Sequence, residues 1–360
     1  MNLHFPVFTT ENICHDCYKC IRHCPCKAIR IVEGRAGVIQ DLCVACGMCV
    51  KVCPAHAKKI RPDLARARFL LGSGKPVYAS LAPSFVSYFR NLEPGALAAA
   101  IRRLGFAGVS ETALGAQMVS AETGEFLRKA GPGVYISSAC PAVVDYVKKY
   151  APSYASNVTS VLSPVLSHTK LLRKLYGEEI GVVFFGPCVA KKNESDRHPE
   201  LLDLALTFKD LEEWLASESI DPYQINPIDY VSMVPERADE GRVYAVEGGM
   251  NDTLRDPGSD VRYLSVSGLH NLGTLLSEDS TAVQVRDCKL FIECLACPGG
   301  CANGPVMPIS QGGTLRSVLQ VAREYDGRNS LDRKCELPIE ERVTAEPQLD
   351  PEVSEEEIKN

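Results

Sequence analysis

The chain has 360 residues, 45% of them apolar and 23% charged, with a net charge of −6 and sixteen cysteines. That length buries a large core and accommodates more than one domain, and the composition is that of an ordinary soluble globular protein. No apolar run nears the roughly 20 residues that span a bilayer, so a membrane span is excluded.

The N-terminus shows no basic region, apolar stretch or cleavage site of a secretory signal. So many cysteines in such a chain argue for metal ligation in a reducing compartment, with cytoplasm the default expectation. Residues 1–61 carry nine Lys/Arg and four Asp/Glu, so the start of the chain is basic and the remainder acidic. Thiolate-bound clusters would offset that basicity, and no aromatic residues interleave the basic ones. Nucleic acid is therefore not expected as a partner.

Within this basic stretch the cysteines fall as Cys14-x2-Cys17-x2-Cys20-x3-Cys24-Pro25 and again as Cys43-x2-Cys46-x2-Cys49-x3-Cys53-Pro54. This is the run of the bacterial two-cluster ferredoxins, in which three close thiolates hold one 4Fe–4S cube and the fourth reaches the other. Cys14, Cys17, Cys20 and Cys53 are expected on one cube, and Cys43, Cys46, Cys49 and Cys24 on the second. The repeat between residues 13–31 and 42–60 predicts a pseudo-two-fold, α+β ferredoxin-like module over residues 1–62. A zinc site would not need eight thiolates in two such runs. Cys26 is surplus and reads as a small buried thiol. His15, His23 and His56 read as polar bystanders.

Residues 62–74 read as a basic helical linker ending in Gly-Ser-Gly. Short apolar strands then alternate with helices. Residues 77–82 read as a strand ending at Pro83 and Ser84, followed by a helix at 95–104, a strand at 108–110 and a helix at 112–129. A strand at 134–138 runs into Ala139, Cys140 and Pro141, with helices at 142–150 and 164–176 after it. Residues 180–185 form the clearest buried strand and end at Pro187 and Cys188. A helix at 208–217 holds Trp214, a packing residue. Residues 227–240 read as loop, and 243–247 and 261–266 as further strands with a turn at Gly248. The apolar run 290–292 leads into Cys297-Pro-Gly-Gly-Cys301.

This alternation predicts an α/β architecture. Cys140, Cys188 and Cys297 each lie just beyond the C-terminal end of an apolar strand, the edge at which open α/β sheets bind ligands. With Cys301 they are expected to converge, and four thiolates are what another 4Fe–4S cube requires.

Ser137-Ser-Ala-Cys-Pro141, Pro187-Cys-Val-Ala-Lys-Lys-Asn-Glu194 and Glu293-x-Leu-Ala-Cys-x-Gly-Gly-Cys-x-x-Gly304 resemble the three signature motifs of the iron-only (FeFe) hydrogenases. The resemblance implies an α/β, two-lobed H-cluster domain over residues 63–335. Residues 336–360 are expected to form an acidic, flexible tail. It also implies an H-cluster, a 4Fe–4S cube joined through one cysteine to a diiron unit with CO, cyanide and a bridging dithiolate. By motif position Cys140, Cys188, Cys297 and Cys301 hold the cube, and Cys301 bridges. Lys191 matches the lysine that holds one cyanide, as suits an ammonium donor against an anion. Pro83 and Ser84 match the other cyanide contact. The implied substrates are H2 and protons, with an external redox protein such as ferredoxin as electron partner.

Ala139 stands where catalytic members carry a proton-relay cysteine. Counted back without gaps, one relay glutamate is kept as Glu122, the other falls on Val119, and the relay serine falls on Thr159. Gly186 and Leu295 replace two methionines that pack on the diiron unit. Cys288, Cys294 and Cys335 match no pattern. Retained ligands with a damaged proton path resemble the sensory branch of the family, which implies slow turnover, hydrogen sensing and a signalling partner. The alternatives are an ordinary catalytic FeFe hydrogenase with a different proton path, or a non-catalytic iron–sulfur scaffold. Retention of Lys191, Ser84 and Cys301 argues against the scaffold.

Overall fold

The computed structural model describes residues 5–10, 13–235, 238–254 and 259–308. The expected boundary at 335, the tail 336–360 and Cys335 lie outside the described residues. None of the described helices is long and apolar enough to cross a membrane.

The N-terminal module has four short strands: β1 (Val7–Thr9), β2 (Ile29–Val32), β3 (Arg35–Val38) and β4 (Lys58–Ile60). β1 pairs antiparallel with β4 (Val7 opposite Ile60), and β2 with β3 (Ile29 opposite Val38). The helical turns Lys19–Arg22 and Met48–Lys51 lie within the cysteine runs and carry Cys20 and Cys49. Asp16, Tyr18 and Lys27 have left-handed backbones, and so do Ala45, Gly47 and His56, each 29 residues further on. That is the offset between Cys14 and Cys43. The repeat in sequence is thus a repeat in backbone geometry: the chain bends the same way around each set of thiols.

The larger part holds β5 (Val77–Leu81), β6 (Gly108–Glu111), β7 (Gly133–Ile136), β8 (Gly181–Gly186), β9 (Leu204–Thr207), β10 (Val261–Ser267) and β11 (Lys289–Leu295). They form two all-parallel sheets, one in the order β6-β5-β8-β9 and the other β10-β11-β7. Every residue of β8 and of β11 is buried, as parallel strands covered on both faces require. Around the four-stranded sheet pack Leu97, Ile101, Phe106 and Phe185. Trp214 lies edge-on to Phe106 at 5.7 Å and is 2% exposed, so it packs as expected. Burial of each such side chain stabilises by about 1.5–3 kcal/mol. Its helix, Phe208–Ser217, begins with a capping box. Asp210 N–H donates to Thr207 Oγ1 at 3.1 Å, and Thr207 N–H to the Asp210 carboxylate at 2.7 Å.

Residues 62–74 hold the expected helix, Leu64–Leu71, and it is packed against the fold, with Ala67 fully buried. Its start is tied down by Arg61 on Asp63 (2.9 Å) and Asp196 (2.7 Å), and by Lys192 on Asp63 (3.0 Å). The Gly-Ser-Gly at its end suggested flexibility, but the partners that remove it lie some 130 residues away. Residues 243–247 are not a strand. Glu240–Ala245 is a 3-10 helix followed by the helix Gly249–Leu254. Its N–H groups bond locally, Val246 to Val243 O at 3.0 Å and Arg242 to Asp239 O at 3.2 Å, so the apolar side chains are buried without a sheet partner.

Candidate metal centres

In the N-terminal module the eight pattern cysteines divide between two small cavities. Cys24, Cys43, Cys46 and Cys49 line the first, and Cys14, Cys17, Cys20 and Cys53 the second. The fourth cysteine of each run thus lines the cavity of the other run's first three. Ala28 N–H donates to Cys24 Sγ at 3.3 Å, and its repeat mate Ala57 N–H to Cys53 Sγ at 3.2 Å. Such bonds tune the potential of a thiolate-held cluster. Burial pushes the Cys46 thiol up to about 12 and Cys49 higher still. These sulfurs stay protonated until a metal takes the place of the proton. Cys26, buried, lines the first cavity too.

In the larger part, Cys140 follows β7 and precedes the helix Pro141–Tyr150, while Cys188 follows β8. Cys297 and Cys301 follow β11 and are closed into a turn by Gly300 N–H on Cys297 O at 3.0 Å. Gly300 has φ 101°, and a Cβ there would come within 2.6 Å of Ala245 O. Only glycine lets this loop lie flat on the 3-10 turn. The four thiols gather: Cys297 feels Cys301, Cys188 and Cys140, and Cys301 feels Cys188 and Cys140. Burial, ahead of this mutual repulsion, pushes all four up, Cys188 to about 11. Among the described residues no three His, Cys, Asp or Glu side chains close on one point as a single ion would need. Four thiolates are what a 4Fe–4S cube requires.

Lys191, 8% exposed, is near enough to lower the thiols of Cys140, Cys188 and Cys301. Its ammonium donates to Glu194 Oε2 at 2.6 Å and Ser163 Oγ at 3.0 Å. An ammonium has three donors, so one is unspent by these bonds. Ser84, 1% exposed and preceded by the half-buried Pro83, has a buried hydroxyl with no partner among the described residues. A hydroxyl so placed is costly unless it meets an acceptor. Four thiols with two unspent donors fit the H-cluster and its anionic diatomic ligands.

On the other flank, Ala139 packs with Val119, Leu127, Met250 and Phe291 in one apolar cluster. Thr159 is 5% exposed, its Oγ1 3.2 Å from the hydroxyl of Ser138, next to Ala139. Glu122 is half-buried on the helix Ala113–Lys129, one turn beyond Val119. Glu125 follows after three more residues and pairs with Lys129 at 2.7 Å. The structure therefore brings Thr159 and Val119 to the neighbourhood of Ala139 and sets Glu122 further along the same helix. Leu295 is buried in the same cluster as Cys140. At Gly186 a Cβ would meet the Phe184 ring at 2.3 Å, so a larger side chain there requires that ring to move.

Sequence reasoning missed the seam between the two parts. Tyr150 OH donates to Leu42 O at 2.6 Å with Cys26 O 3.0 Å away, and Lys149 donates to Cys43 O (3.1 Å). Lys51 donates to Asn303 O at 2.7 Å. These are backbone carbonyls, which carry no sequence signal. The seam puts Cys24, Cys43 and Cys46 in one cluster with Cys140, Cys188 and Cys301. Glu293 was noted only as a motif residue. Its buried carboxylate accepts the N–H groups of Gly248, Met250 and Asn251, although burial pushes it up. Cys294 is 1% exposed, and Cys288 O accepts Gly133 N–H at 3.1 Å.

Residues 75–256 and 251–305 match the family described as iron only hydrogenase large subunit, C-terminal domain, and residues 6–65 match the 4Fe-4S dicluster domain. The periplasmic Fe hydrogenase large subunit of Nitratidesulfovibrio vulgaris is 26% identical over 59% of this chain and 63% of that protein. The NADP-reducing hydrogenase subunit HndD of Solidesulfovibrio fructosivorans is 25% identical over 93% of this chain and 63% of its own length. Iron hydrogenase 1 of Clostridium pasteurianum is 24% identical over 64% of this chain and 48% of its own length. The chain thus spans less than two thirds of these relatives. A variant of the FeFe-hydrogenase HydA1 from Chlamydomonas reinhardtii, 19% identical, shares the fold with a TM-score of 0.57 over 76% of this chain and 91% of that one. Iron–sulfur clusters and the H-cluster are accordingly the cofactors of this protein. The family match covers well over half of the chain and agrees with two parallel sheets whose edges gather four thiols: this chain belongs to the iron-only hydrogenase large-subunit family.

Proposed function

We propose that this chain interconverts H2 with protons and electrons at its H-cluster, slowly, and that the slow reaction serves hydrogen sensing or redox signalling. When bound, the H-cluster supplies the redox chemistry of H2. Cys140, Cys188, Cys297 and Cys301 would hold its cube, with Cys301 as the link to the diiron unit, and Lys191 and Ser84, next to Pro83, would serve as donors to its cyanides. The two other cubes are held by the eight cysteines of residues 1–62. The one lined by Cys24, Cys43, Cys46 and Cys49 passes electrons to the large domain, residues 63–335. A ferredoxin-like carrier supplies them and a signalling partner reads the result. The compartment proposed is the cytoplasm, although one relative is named as periplasmic.

The observation that supports slow turnover is the packing of Ala139 and Val119 in one apolar cluster. Proton transfer needs a titratable group within about 2.6–3.2 Å or one water of the reacting atom, and methyl groups offer none. A second reading, an ordinary hydrogenase with another proton path, is favoured by Glu122 and Glu125, two carboxylates three residues apart on one helix. Infrared spectra of the matured protein test the cofactor reading: CO and cyanide bands are expected, and Cys301→Ala is expected to abolish them. A spectrum unchanged by Cys301→Ala would overturn the bridging role. H2 evolution per H-cluster then separates the two readings, a low rate supporting the first and a fast rate the second.

A further inference from the structure

Five cysteines, not four, meet at the cavity beside the large domain. Cys26 lines it together with Cys24, Cys43, Cys46 and Cys49. It is 4% exposed, and its thiol is in electrostatic reach of Cys46, Cys24 and Cys43. The local chain explains how. Lys27 N–H bonds back to Cys24 O at 3.3 Å and Lys27 is left-handed, so Cys24 to Lys27 is a tight turn that keeps both cysteines at the same wall. The repeat supplies an internal control. The residue 29 positions after Cys26 is Ala55, and Ala55 lines the second cavity beside Cys53. Both repeats therefore present this position to their cavity, and the first repeat puts a thiol there.

We infer that Cys26 is a reserve ligand, able to replace Cys24 on an iron of the cube that these cysteines hold. The inference rests on the reading that Cys24, Cys43, Cys46 and Cys49 ligate that cube. In the exchange the Cys26 S–H bond breaks and an Fe–S bond forms, while the Cys24 Fe–S bond breaks and Cys24 takes up the proton. No electron moves, and one thiolate replaces another. The exchange changes the cube nonetheless. Cys24 Sγ accepts the Ala28 N–H at 3.3 Å, and removing a hydrogen bond from a ligand sulfur lowers the potential of a cluster. Cys46 of this cube is in electrostatic reach of Cys140, so the exchange alters electron supply to the large-domain site.

The test uses the full chain reconstituted anaerobically with iron and sulfide. Cys24→Ala is expected to keep the full iron and labile sulfide content, with a changed EPR signal and a more negative midpoint for one cube. Cys24→Ala with Cys26→Ala is expected to lose one cluster's worth of iron. Cys53→Ala, whose repeat has Ala55 in place of the reserve thiol, is expected to lose the same amount on its own. Loss of that iron from Cys24→Ala alone would overturn the inference. Retention of all iron by Cys46→Ala would instead overturn the ligand reading beneath it. Should Cys24→Ala fail to fold, Cys24→Ser carries the test. On that background Cys26→Ala must change the EPR signal, and an identical signal with and without Cys26 overturns the inference.

Discussion

The Lys191 ammonium lies 2.6 Å from the Glu194 carboxylate, and both side chains are buried. Removing one partner of such a pair leaves an uncompensated charge and costs about 3–5 kcal/mol. Lys191→Met should therefore destabilise the apoprotein by that order. Lys191→Met combined with Glu194→Gln should recover most of the loss, measured by denaturant unfolding. In the matured protein Lys191→Met should also shift a cyanide band, since it removes a charge-assisted donor. An unshifted infrared spectrum would show that Lys191 does not touch the cofactor.

Ala139→Cys should raise H2 evolution per H-cluster. A positioned proton donor is worth about 10²–10⁴-fold, which bounds the gain. Glu122→Gln on that background should remove the gain if protons continue along the helix Ala113–Lys129. Adding Val119→Glu tests the other register. It places a carboxylate among Leu127, Met250 and Phe291, so it should lower the melting temperature. A further rate increase from it would mark position 119 as part of the path.

Cys46→Ala should separate electron delivery from chemistry. Cys46 belongs to the cavity nearest Cys140. Its loss should leave H2 evolution from a small reduced dye nearly intact and sharply reduce evolution driven by reduced ferredoxin. Equal loss with both donors would mean that the cluster is structural rather than conducting.

His168 is fully buried, its two ring nitrogens 2.8 Å from Ser80 Oγ and Ser110 Oγ, and burial lowers its pKa to about 3. The folded protein keeps this ring neutral, while the unfolded chain protonates it near 6.5. Stability from this group is full above pH 6.5 and is lost as pH falls from 6.5 toward 3, at up to about 1.4 kcal/mol per pH unit. His168→Gln should flatten the acid side of the stability profile between pH 6.5 and 5. A profile of unchanged slope would show that His168 is not the group responsible.

The metal chemistry was legible in the cysteines alone. Cysteine spacing is a local property, so the two ferredoxin runs, their internal repeat and the motifs around Cys140, Cys188 and Cys297 were legible without coordinates. The same holds for the buried strand β8 and for residues 290–292 of β11, whose apolar runs read as strand. Helix Phe208–Ser217 was legible to the residue, and the capping pair Thr207 and Asp210 that marks its start is itself a local signal. The substitution of Ala139 for a cysteine was visible in the same way.

Tertiary structure decided what depends on partners distant in the chain. Nothing in the sequence signals that Arg61 pairs with Asp196 or Asp63 with Lys192, partners some 130 residues away. Residues 243–247 looked like a strand because apolar residues satisfy burial equally well in a 3-10 turn. β9 was missed because its Leu204–Thr207 run is too short to stand out before β8 lies beside it. The unspent hydroxyl of Ser84, the grip of Glu194 on Lys191, and the return of Cys26 to a cavity it shares with four other thiols all have the same cause. Burial and hydrogen bonding are properties of neighbours in space, and a local pattern cannot state who those neighbours are.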